Sequence, residues 1–136
     1  MAGIQRDTPV PVDIVLHAKS RVLELEYADG SRFRLPFELL RVFSPSAEVR
    51  GHGPGQETLQ VGKRDVTIVE LEPVGNYAVR PVFSDGHSTG IYSWDVLWRL
   101  AREQDTLWAD YLAKLEAAGA GRDPDPGLSA TAVSRT

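Results

Sequence analysis

RVLELEYADGSRFRLP, residues Arg21–Pro36, decides the architecture before any other stretch does. Leu23, Leu25 and Tyr27 alternate with Glu24 and Glu26, the period of a strand with one buried face. After Ala28-Asp29-Gly30, Phe33 and Leu35 alternate with Arg32 and Arg34 in the same way. A two-residue loop at Asp29-Gly30 would set Leu25 against Arg34 and mix apolar with charged side chains on one face. A three-residue loop at 28–30 sets Leu25 against Phe33 and Leu23 against Leu35. One slipped residue turns every side chain over, so the hydrophobic pattern selects the second register. Gly30 then takes the left-handed position of a bulged loop, where a side chain is costly. An antiparallel hairpin is expected to seed the fold.

Outward from this hairpin, Met1–Val12, with Pro9 and Pro11, reads as an extended lead-in, and DIVLHA at 13–18 as a further strand. Pro36 can open a short helix, because the first turn needs no N–H from it, and Phe37, Leu39, Leu40 and Phe43 supply that helix's buried face. DVTIVEL at 65–71 reads as a strand, EPVG at 72–75 as a turn, and NYAVRPVF at 76–83 as a strand in which Pro81 signals an edge or bulge. Ser84-Asp85-Gly86 repeats the earlier loop chemistry. Built the same way, it pairs Val79 with Ile91 and Phe83 with His87, which turns His87 inward.

Ser93 is a good N-cap, and Asp95 in the first turn opposes the helix dipole. Trp94, Leu97, Trp98 and Ala101, then Trp108, Tyr111, Leu112 and Leu115, keep helical spacing as far as a stop at Gly119. The polar run REQDT at 102–106 leaves one or two helices open. The expectation is an α+β fold of mostly antiparallel sheet, with one short helix near 36–42 and one or two C-terminal helices within 93–118. The domain spans 13–119, between a lead at 1–12 and an aperiodic tail at 120–136 expected to be disordered.

Composition narrows the function classes. Of 136 residues, 42% are hydrophobic and 25% charged, which suits a globular domain, and the formal net charge of −4 argues against general nucleic-acid binding. Arg32, Arg34, Lys63 and Arg64 have acids for neighbours and read as solvated strand and turn edges. With no cysteine, disulfides, thiolate metal sites and cysteine nucleophiles are excluded. No stretch approaches the length of a membrane span and the N-terminus has no signal-peptide core, so a cytoplasmic protein without membrane contact is expected.

Tests for chemistry mostly fail. Gly62-Lys63 is followed by Arg64, where a P-loop needs Ser or Thr, and Glu57 stands at that motif's first glycine. Ser44 and Ser46 lie near His52 without a nucleophile elbow. His52 and His87 could converge with Glu48 or Asp85, offering nitrogen and oxygen ligands that iron, zinc or manganese accept, although no HxH or HxxxH spacing supports them. Trp94, Trp98, Trp108 and Tyr111 form either a binding platform or, at helical spacing, part of the core.

LLRVFSPSAEVRGHGPG (39–55) and EPVGNYAVRPVFSDGHSTGIYSWDVLWRL (72–100) carry a resemblance to the gamma-butyrobetaine hydroxylase-like N-terminal domain family, and within it to the short stand-alone bacterial members of unknown function. The resemblance covers about residues 13–119. It implies that in larger relatives the domain precedes a separate catalytic β-helix and holds zinc with three cysteines and a histidine, in a loop reading roughly LRDxCPCxxC. Laid on this chain, the cysteine positions fall on Ser44, Ser46 and Val49, and the histidine on His87. Serine hydroxyls are poor zinc ligands and valine is none, so that site is lost. The oxygenase is not inherited either, since it belongs to the absent catalytic domain and no HxD facial triad is present.

The resemblance also links similar domains to Mrp-type iron–sulfur carrier ATPases. The expected function is thus a non-catalytic accessory or interaction domain with a protein partner, such a carrier or a second copy in a homodimer. Ser44, Ser46, Glu48, Arg50, His52, Asp85 and His87 are its expected partner surface. The alternative is a protein holding a weakly bound metal ion with His87, His52, Glu48 and Asp85; otherwise no cofactor is expected.

Overall fold

A computed structural model describes residues 8–51 and 57–124. Strands β1 (Asp13–His17), β2 (Val22–Glu26) and β3 (Arg32–Pro36) lead into helices α1 (Phe37–Val42) and α2 (Ala47–Arg50). Strands β4 (Ile68–Val74), β5 (Ala78–Phe83) and β6 (Tyr92–Ser93) then precede the 24-residue helix α3 (Trp94–Ala117). Each strand set forms a three-stranded antiparallel sheet in sequential order, so the fold is α+β.

The β2–β3 hairpin has the expected register, with Leu25 opposite Phe33 and Leu23 opposite Leu35. The Tyr27 amide donates to the Ser31 carbonyl at 2.9 Å across the three-residue loop, and Gly30 sits at φ +89°. Leu23, Leu25 and Leu35 from this sheet meet Phe37, Leu39 and Leu40 of α1, Ile68, Val79, Phe83 and Tyr92 of the second sheet, and Leu97, Leu100 and Ala101 of α3. Trp98 closes one end of this core, edge-on to Tyr27 and Phe33. The aromatic set therefore packs rather than standing free as a platform.

Two expectations are corrected. First, β4 starts at Ile68 rather than Asp65 and runs through Pro73, which an edge strand tolerates; the turn falls at 75–77, with Gly75 at φ +55°. Second, the return strand slips. Phe83 does bond His87, its amide donating at 2.9 Å, but Val79 lies opposite Tyr92 instead of Ile91. One extra residue is absorbed between these two pairs. Pro81 lies in that gap, two residues from Phe83, so its ring nitrogen turns to the same side and needs no acceptor. The slip buries Tyr92 completely and leaves Ile91 45% exposed.

Of the one or two helices expected within 93–118, the structure has one, α3. Arg102, Asp105 and Thr106 face solvent while the apolar stripe resumes at Leu107 and Trp108, and Arg99 bonds Glu103 at 3.3 Å one turn on. Ser93 caps its start, accepting from the Val96 amide at 3.3 Å. Its end is a Schellman turn: Gly119 at φ +66°, with the Ala120 amide donating to Leu115 and the Gly119 amide to Glu116.

Residues 120–124 then run back across the domain. Gly62 and Arg64 amides donate to the Gly121 and Arg122 carbonyls at 3.0 and 2.9 Å. The Arg122 guanidinium lies over Trp108 and grips buried Glu38 through two bonds of 2.9 and 2.7 Å. The rest of the aperiodic tail lies outside the described residues.

Candidate functional site

Where α1 ends, the chain turns through Ser44-Pro45-Ser46 into the single turn of α2. The two serines shape that turn: Ser44 Oγ accepts from the Ser46 amide at 3.2 Å, and Ser46 Oγ accepts from the Glu48 amide at 3.1 Å. Opposite, Gly86 at φ +90° swings the chain round so that His87 enters the interior, its amide bonded to Asp85 Oδ1 at 3.2 Å. The two turns meet. Ser44 Oγ lies 2.8 Å from His87 Nε2, and Glu48 Oε1 lies 3.0 Å from His87 Nδ1.

This geometry fixes the protons. A carboxylate only accepts, so Nδ1 carries the hydrogen and donates to Glu48; Nε2 then accepts the Ser44 hydroxyl proton. Ser44 is thereby satisfied as both donor and acceptor. Serine, imidazole and carboxylate stand in the order of a hydrolytic triad. Ser44 is nevertheless wholly buried, and Gly90 lies directly against it: a methyl at Gly90 would sit 2.4 Å from Ser44 Oγ. A nucleophile with no room for a reacting carbonyl is a structural group.

Burial lowers the His87 pKa below the usual imidazole value, helped by the Arg41 charge and opposed by Glu48 and Asp85. The folded state thus holds His87 neutral at a pH where the unfolded chain, with a value of 6.5, begins to take up a proton. This contribution to stability is complete above pH 6.5 and is lost as the pH falls towards the folded value. Urea midpoints should therefore decline from about pH 7 to about pH 5, and His87→Gln should show a shallower decline than the native chain. Equal slopes would show that His87 is not held neutral.

Asp85 answers to other partners. Burial works to raise its pKa, but Lys63 Nζ at 2.7 Å, the His87 amide and Arg41 Nε at 2.9 Å outweigh this and hold the carboxyl at about 2. The structure thus brings Ser44, Ser46, Glu48, Asp85 and His87 together, with Val49 buried beside them. Ser44, Ser46 and His87 form the floor of the cluster, and Glu48 and Arg50 are exposed. His52 lies outside the described residues. Sequence reasoning missed Arg41, Thr89, Gly90 and Tyr92. Thr89 bonds Ser46 Oγ at 2.7 Å, and the Tyr92 hydroxyl donates to the Leu40 carbonyl.

Beside this cluster lies a groove of about 510 Å³ between α3 and the segments 42–50 and 57–60. Val42, Phe43, Val49, Leu100 and Leu107 give it an apolar floor, and Arg50, Arg99 and Lys114 stand on its rim with Glu57 and Asp110.

The family model described as gamma-butyrobetaine hydroxylase-like, N-terminal, matches residues 14–98. The chain belongs to that family. Two NMR solution structures are similar to the chain: one at 47% identity, covering 93% of this chain and 99% of its own, the other at 49%, covering 96% and 98%, both at TM-score 0.76. The crystal structure of a protein of unknown function from Acidithiobacillus ferrooxidans, assigned to the DUF971 family, is 45% identical over 67% of this chain and 91% of its own, at TM-score 0.57. None of the curated proteins matches the chain.

The zinc that the family resemblance implies does not fit the residues present. The histidine nitrogen at that position is engaged by Ser44, Ser46 Oγ is engaged by Thr89 and the Glu48 amide, and Val49 has no donor atom. Among the described residues no group of three or more histidine, cysteine, aspartate or glutamate side chains could hold a metal ion. Nor, among those residues, is any helix long and apolar enough to cross a membrane.

Proposed function

We propose that this domain is a non-catalytic interaction module whose groove beside α3 receives an apolar segment of a partner protein. The groove carries the reading. Its chemically capable neighbours, Ser44 and His87, are buried and bonded to each other, while the recess itself opens an apolar floor beneath charged rims. Such concave apolar surface with a few polar groups suits recognition, and among the described residues no arrangement of nucleophile and open reaction space accompanies it.

A Mrp-type iron–sulfur carrier ATPase is the first partner to test. In a capture experiment the native chain and Val69→Glu, on the β4 edge, should retain the purified carrier, and Leu107→Glu in the groove should lose at least about 10-fold of it. Equal retention by the native chain and both variants would overturn the groove. No retention by the native chain would remove this partner. A metal reading would rest on His52 with His87, Glu48 and Asp85. One equivalent of metal in freshly purified protein, lost in His87→Ala, would put that reading in place of ours.

A further inference from the structure

The two sheets offer four strand edges among the described residues, and three are guarded. β3 carries Arg32, Arg34 and Pro36; β4 carries a bulge between Ile68 and Glu70, then Glu72 and Pro73; β6 is only two residues long. Charges, prolines, bulges and shortness are the devices by which proteins stop edge strands from pairing with other chains. β1 is the least guarded: it has no proline or bulge, and its charge, Asp13, stands at its first residue. DIVLH pairs with β2 without a break over five residues, and its Val15 and Leu16 are 38% and 36% exposed.

We infer that β1 is a self-association edge, at which a second copy of this chain pairs antiparallel about a two-fold axis through Val15. The sequence of the strand is self-complementary in that register alone. Asp13 falls opposite His17 of the second copy, Ile14 opposite its Leu16, and Val15 opposite Val15. Centring the axis on Ile14 or Leu16 instead sets Val15 against Asp13 or His17. Ile14 and Leu16 share the face of Leu25 and Leu23, so their cross-copy pairing extends the buried face of the sheet across the axis. Five residues make a small contact, so the association is weak and depends on concentration.

Sedimentation should give the monomer mass of 15.0 kDa in dilute solution and rise towards twice that value near about 1 mM. Val15→Lys, which sets two like charges on the axis, should stay monomeric while keeping native amide spectra. The chain has no cysteine, so Val15→Cys carries a single thiol. Directly opposed strand residues have Cα atoms about 4.5–5.5 Å apart, within disulfide range. Under mild oxidation Val15→Cys should form a covalent dimer at least about 10-fold faster than Val69→Cys, which is exposed on the guarded β4 edge. A monomer at every concentration, dimerisation of Val15→Lys like the native chain, or equal rates for the two cysteine variants would each overturn the proposal.

Discussion

Replacing Gly90 with alanine should destabilise the domain by about 3 kcal/mol, from overpacking and a broken buried hydrogen bond together. The backbone there is not left-handed; the objection is purely spatial. The new methyl would lie 2.4 Å from Ser44 Oγ, 3.1 Å from Tyr92 Cε1 and 3.4 Å from Pro45 Cδ. Ser44 cannot simply turn away, because its hydroxyl links His87 Nε2 to the Ser46 amide. Rotating it leaves a buried imidazole nitrogen unpaired. A double-mutant cycle isolates this contact: in Ser44→Ala with Gly90→Ala the clash with Oγ is gone, so the pair should cost at least about 1 kcal/mol less than the two single changes summed. Chemical denaturation measures all three, and strict additivity would show that Gly90 is not what holds Ser44 in place.

Removing the Asp85 carboxylate should have a comparable effect, about 3–4 kcal/mol for Asp85→Ala, because it strands a buried cation. Arg41 is 8% exposed at its side chain, bonds Asp85 through Nε, and has no partner at Nη1 among the described residues. Lys63 shares the same carboxylate oxygen but is more exposed and can turn to water. Asp85→Asn keeps an acceptor for the His87 amide and loses only the charge, so it should cost less. The stronger check is compensation. Arg41→Met in the Asp85→Ala background should recover much of the loss, since an apolar side chain of similar reach needs no counter-ion there. If both backgrounds were equally unstable, the Asp85 effect would belong to its turn instead of to Arg41.

How much of this was legible in the sequence depends on the range of the interaction. The β2–β3 hairpin was readable because five alternating residues on each side and a glycine loop allow only one register with a uniform face. The β5–β6 register was not. There the local pattern favoured Ile91, and the slip is set by Pro81 in one strand and by Gly90 packing on Ser44, some 45 residues away in sequence. The polar run at 102–106 left one or two helices open, because composition alone does not show which helical face it occupies. Likewise Arg122 carries no periodic signal; its partner Glu38 lies on a helix 84 residues earlier.

The site divides in the same manner. Serine positions 44 and 46 and His87 could be brought together by analogy with a metal loop, and the glycine turn at 84–86 already aimed His87 inward. Glu48 was visible only as one nearby carboxylate among several. That it donates nothing, accepts from Nδ1 and so fixes the tautomer emerges from the distances alone. Arg41 read as an ordinary helix cation, and nothing local marks it as buried.

The central claim is that a closed hydrogen-bonded chain, Ser44 to His87 to Glu48, stands where the family resemblance implies a metal centre in larger relatives, and is itself part of the core. The most direct measurement is the nitrogen NMR spectrum of the His87 ring, recorded at neutral pH with and without added zinc. The account predicts a neutral ring protonated at Nδ1, a hydrogen-bonded but unprotonated Nε2, and no change on adding the ion. A proton on Nε2, a fully charged imidazolium at neutral pH, or a zinc-induced shift of either nitrogen would contradict it.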